Sequence, residues 1–147
     1  MADFDSLLKK SLAVVNDGYQ DAVAEVAGVV EKLARAIKQN AGEQFGLELA
    51  EVRGDVKGMT FRVFLDTGVN DMEAEVVNIT HLRIPAHGYP VSYGTYTKNT
   101  GAFIPAQNSD LKDLEAVEKF FADLLSNPES TLIQAIGFAL RRSSRKM

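Results

Sequence analysis

"VVNDGYQDAV", residues 14–23, is the stretch whose reading decides the fold. Asn16, Asp17 and Gly18 are turn formers, and Asp17 with Gln20 three residues on fits a capping box that would open a new helix. The apolar residues on either side point the other way. Phe4, Leu8, Leu12, Val15, Tyr19, Val23, Val26, Val30, Leu33 and Ile37 recur every three or four positions, and the stripe keeps its phase across Gly18, as one amphipathic helix requires. Continuity of phase favours one long helix, bent at most, over a helix pair. Asn40, Ala41 and Gly42 supply its stop.

That choice has a consequence in size. A helix from Asp3 to Gln39 spans about 55 Å at ~1.5 Å per residue, whereas a compact domain of this length has a diameter of roughly 40 Å. An unbroken helix overhangs its own globule, and its protruding stripe is then presented to another subunit.

After the helix the apolar period becomes two. Phe45, Leu47 and Leu49 alternate with Gly46, Glu48 and Ala50, and Met59, Phe61, Val63 and Leu65 alternate with Thr60, Arg62, Phe64 and Asp66. With "RGDVKG", residues 53–58, between them, the two runs predict a hairpin with one buried face. Arg53, Gly54 and Asp55 also spell the tripeptide of integrin-binding loops, but in a chain with no cysteine and no export signal they read as turn chemistry. A third strand follows the "DTGVND" turn within "MEAEVVNITHLRI", residues 72–84, where the phase slips from Val77 and Ile79 to Leu82 and Ile84. Such a slip predicts a β-bulge at Thr80 or His81.

"PAHGYP" turns the chain into a fourth strand, "VSYGTYT", residues 91–97, and "KNTGAFIPAQNS", residues 98–109, reads as a loop. Ser109 or Asp110 caps a helix with Leu111, Leu114, Val117, Phe121, Leu124 and Leu125 inward. Ser126 or Asn127 caps the last helix, with Pro128 in its first turn and Leu132, Ile133, Ile136 and Leu140 inward. The expected fold is α+β: a long N-terminal helix, or a helix pair, then a four-stranded antiparallel meander and two C-terminal helices packed on one sheet face, forming a single domain over residues 1–147.

Composition narrows the function. The 147 residues are 46% apolar with a net charge of −4 and no cysteine, which excludes a disordered chain, a disulfide scaffold and thiolate chemistry. The tail "RRSSRKM" holds Arg141, Arg142, Arg145 and Lys146, so the rest of the chain is strongly acidic and repels nucleic-acid backbones. Ser144 behind two arginines matches a basophilic kinase site, set against a plain frayed end. The opening "MADFDSLLKKSL" has no signal-peptide pattern and no run reaches ~18 apolar residues, so a cytoplasmic protein off the membrane is expected.

Catalytic signatures are missing: no P-loop, nucleophile elbow, zinc-protease helix, calcium loop or dinucleotide fingerprint. His81 and His87 lack a metal-ligand spacing, so neither metal nor cofactor is expected. Asp71, Glu73 and Glu75 could pair for glycoside hydrolysis, but a charged strand start is more often a guarded edge.

What remains is recognition. Phe64 and Tyr96 with Arg62 fall on the outward side of the sheet and form a candidate contact for another protein or a homodimer. The expected function is a protein-binding module, such as an inhibitor, immunity-type factor, adaptor or regulator, acting through the open sheet face or the long helix. Two alternatives stand beside it. One is a small-molecule binder or modest hydrolase with His87, Tyr89 and Tyr93 at the mouth of a pocket between sheet and helix; the other is a structural subunit that assembles through the first helix.

Overall fold

The computed structural model of the chain describes residues 3–68 and 76–145, excepting the side chains of 143–145. Asp71, Glu73 and Glu75, the start of the third strand, and the side chains of Ser144, Arg145 and Lys146 lie outside the described residues.

The first helix, α1 (Phe4–Asn40), runs without a break through Gly18. Asp3 caps it, accepting from the Ser6 amide at 3.2 Å and the Ser6 hydroxyl at 2.8 Å; the hydroxyl, then the amide, hold that carboxyl below its ordinary range. At the other end the Ala41 amide donates to the Ile37 carbonyl, and Gly42 leaves the helix at φ 145, where a side chain would be strained.

Five strands follow: β1 (Gly46–Asp55), β2 (Gly58–Asp66), β3 (Val76–Ile84), β4 (Val91–Thr97) and β5 (Ala102–Leu111), an antiparallel meander in chain order. The expected count of four is corrected here. Residues 98–109 hold most of a fifth strand, whose outer half shows no period-two pattern because it is an edge with exposed Ile104, Pro105, Ala106 and Gln107. An edge strand has no second neighbour to demand amides, so Pro105 is tolerated there. The slip foreseen at Thr80 or His81 is real and falls one residue earlier: Val63 faces Thr80 and Phe64 faces Asn78, leaving Ile79 as the extra residue.

Helices α2 (Leu114–Ser126) and α3 (Thr131–Arg145) close the chain, and both begin later than expected. Leu111 completes β5, so Asp113 is the cap of α2, accepting from the Ala116 amide at 2.9 Å, in place of Ser109 or Asp110. Asn127, Pro128 and Glu129 form the intervening turn, and the Ser130 hydroxyl accepts from the Ile133 amide at the start of α3. Leu125 and Leu140, expected inward, are exposed at the margin of the buried face; among the described residues Val117, Phe121, Leu132 and Ala139 are buried, and Leu114, Leu124 and Ile136 pack against them.

One core joins all three helices to a single sheet face. Ala22, Val26, Val30, Leu33 and Ile37 of α1 pack with Leu47, Phe61, Val63, Leu65, Leu82, Ile84 and Val91, and Phe121 and Leu132 complete the cluster. The seat of α1 against the β3–β4 turn explains Gly18. A Cβ there would lie 2.4 Å from the His87 carbonyl oxygen, and one at Gly88 would lie 2.5 Å from the Gly18 carbonyl oxygen. Gly18 is a point of backbone contact inside a helix, not a break in it.

Gly18→Ala separates these roles. Helix propensity alone would stabilise the chain by about 1 kcal/mol; the contact with a carbonyl that cannot swing aside makes the expected result a net loss of about 1–3 kcal/mol, read from the urea midpoint. A stabilised variant would show that the turn does not seat on the helix.

Candidate functional site

Two surfaces stand out once the core is accounted for. The first is the amino-terminal part of α1, which continues past the seat at Gly18 as an arm. Its stripe is the same one that is buried farther along the helix, yet Phe4 is 77% exposed, Leu8 59% and Leu12 57%. Leu7 and Val14 widen the apolar face and are exposed as well. Where the arm leaves the body it forms one wall of a notch of about 730 Å³, lined by Leu12, Val15 and Tyr19 on the helix and by Gly54, Met59 and Ala86 at the end of the sheet.

The second surface is the sheet face turned away from the helices. It was expected to be flat and open; it is partly roofed. β3 and β4 pair only from His81 to Arg83 against Ser92 to Gly94. Beyond Gly94 the β4–β5 hairpin peels away from β3 and leans across the face until the Arg53 guanidinium of β1 donates to the Gly101 carbonyl at 3.5 Å. Gly94 lets β5 close in on β4 there, since a Cβ would run into the Ile104 carbonyl. Beneath the hairpin is a hollow of about 380 Å³ whose lining includes Ala50, Arg62, Asn78, His81, Tyr96 and Lys98.

Arg62, Phe64 and Tyr96 do share this outer face, but as partners in contacts inside it. The Arg62 guanidinium lies 4.3 Å from the Phe64 ring centre, a cation–π distance, and Tyr96 stands 5.7 Å from the His81 ring. Both aromatic rings are half-buried. His81 belongs to the same cluster and carried no sequence signal, since a lone histidine on a strand has no motif. Burial, then the neighbouring Arg62 charge, hold its imidazole below the ordinary histidine range.

His87, Tyr89 and Tyr93 are not brought together. His87 and Tyr89 border a shallow hollow against Gly18, Asp21 and Glu25 of α1, and the Tyr89 hydroxyl donates to Glu25 at 3.3 Å. Burial, then the Glu25 charge and hydrogen bond, push the Tyr89 phenol up to about 12. Tyr93 lies on the helix side instead, stacked at 4.5 Å on Phe120 of α2. Among the described residues no group of three or more His, Cys, Asp or Glu side chains is placed to hold a metal ion, and no helix is long and apolar enough to cross a membrane. Comparison with protein-family models, curated proteins and solved structures gave no match to this chain.

The His81 environment sets a pH dependence. The folded state resists protonating this ring, so the unfolded chain binds a proton more readily, and the stability His81 contributes is present above the unfolded value near ~6.5 and is lost as pH falls through the lower folded value. Unfolding free energy measured across that window is expected to drop on acidification, with a shallower drop for His81→Gln. Equal slopes for the two chains would remove the argument.

Proposed function

We propose that this chain is a protein-binding module that assembles through its amino-terminal arm, with a second copy of itself as the partner. The observation that carries the reading is the uncovered continuation of the core stripe along Phe4, Leu8 and Leu12. Monomers rarely leave a contiguous apolar patch of more than a few hundred Å². A standard interface covers about 800 Å² on each partner.

Charge favours an antiparallel, twofold pairing. Around the arm, Asp5 and Lys9 flank one edge of the apolar face, while Asp3 and Lys10 flank the other. Two arms crossing at Leu7 set each Asp5 beside the other copy's Lys9, and each Asp3 within a turn of Lys10. The same register lays each Phe4 near the other copy's Leu12, at the lip of the notch. A self-complementary contact of this kind closes with two copies.

Sedimentation equilibrium tests it. The full chain should be a dimer at high micromolar concentration, and Leu8→Asp with Leu12→Asp should be a monomer with an unchanged urea midpoint at dilutions where both chains are single. Lys9→Glu with Lys10→Glu should also fail to dimerise, and should recover association when mixed with Asp3→Lys, Asp5→Lys. A monomeric full chain, or a dimer indifferent to the arm, overturns the reading.

A further inference from the structure

The hollow under the β4–β5 hairpin has no part in the arm, and its lining has a chemistry of its own. Donors converge on it from three strands and the hairpin: Arg62 from β2, Asn78 and His81 from β3, Tyr96 from β4 and Lys98 from the hairpin tip. Among the described residues, Glu51 is the one acid in its wall. Its register partner, however, is the inward-facing Phe61, and paired residues share a face, which sets the Glu51 side chain on the helix side of the sheet. Burial first, and then the Glu51 charge, raise the phenol of Tyr19 on α1. A protein of net charge −4 thus gathers two permanent cations around an otherwise neutral donor set in one half-enclosed recess.

Three of the five donor side chains and the hairpin tip are held before any ligand arrives, and Asn78 and Lys98 stand exposed beside them. Arg62 is steadied by the Phe64 ring, His81 and Tyr96 brace one another, and Arg53 ties the hairpin tip down at Gly101. Held donors in a site partly shielded from water bind an anion better than the same groups on open surface. The two oxygens of a carboxylate cannot use donors from five side chains; the three oxygens of a phosphate dianion can. At about 380 Å³ the space lies at the small end of ligand pockets, which leaves room for a short carbon chain beyond the phosphate.

We propose that this hollow binds a small phosphate monoester, with Arg62 and Lys98 holding the phosphate and His81, Tyr96 and Asn78 donating to its oxygens.

Isothermal titration with glycerol phosphate as the probe, and with inorganic phosphate and acetate for comparison, tests the assignment on the full chain. Saturable 1:1 binding of glycerol phosphate is expected, weaker binding of inorganic phosphate, and none of acetate. Lys98→Gln changes an exposed side chain and should lower the affinity at least tenfold while leaving the melting temperature in place. Arg62→Gln should do the same, and a circular-dichroism spectrum separates lost binding from lost structure in that variant. Arg141→Gln, on the exposed side of α3, should bind as the parent does. Heat that does not saturate at millimolar probe, or an equal loss in Arg141→Gln and Lys98→Gln, overturns the proposal. The outcome does not depend on the arm, because the Leu8→Asp, Leu12→Asp monomer should bind the probe as well as the parent chain.

Discussion

Two glycines meeting backbone to backbone fix this architecture. Gly18 lies mid-helix in α1 and Gly88 sits in the β3–β4 turn at φ 105, and at each the space a Cβ would need is taken by the other segment's backbone. The contact sets the depth at which the helix lies on the sheet, and hence which turns of the stripe are covered. From Ala22 onward the stripe is core, whereas before Gly18 it is exposed, with only the end of the sheet facing Leu12 and Val15 across the notch. The boundary between body and arm is thus a steric event at one residue, and the apolar pattern runs through it unchanged.

That is also why the sequence was legible in some places and opaque in others. Periodicity reports which side of an element is apolar, and it placed α1, β1 to β4 and the inward residues Phe61, Val63, Leu82 and Ile84 correctly, because each has the core on one side only. It could not report β5, whose outer half has solvent on both faces and therefore no alternation to display. Gly18 sent two messages with the same letters: glycine after Asn and Asp marks a turn when read locally, and a close approach when read with Gly88, seventy residues away. The phase of the stripe was the better guide because it summed over many residues.

The outer-face cluster was half visible. Alternation alone assigned Arg62, Phe64 and Tyr96 to the same face, which is a statement about parity. The hollow between them depends on where the β4–β5 hairpin leaves the sheet, and that follows from how short the β3–β4 pairing is. A short pairing leaves no motif. His81 entered the cluster by pairing with Gly94 across β3 and β4, and Tyr93 left its supposed companions because it is the inward neighbour of outward Ser92 and Gly94. A one-residue parity rule separated Tyr93 from His87 and Tyr89 more firmly than their nearness in the chain joined them.

The arm's helicity, finally, has to be explained without packing. An isolated helix of some fourteen residues is marginal in water, because the first turn costs far more than each turn added to it. Here the nucleus is supplied by the packed part of α1, so the arm needs only propagation outward from Gly18, through Leu7, Leu8, Leu12, Ala13 and other residues that extend a helix readily. Asp3 then satisfies amides at the far end, with Ser6 completing the cap. A chain with no use for these turns would have little reason to cap them or to keep their apolar face in phase with the core. The stripe, the Asp3 cap and the flanking Asp5, Lys9 and Lys10 are three features of the same four turns, and they are the grounds on which the arm is proposed to pair with a second copy.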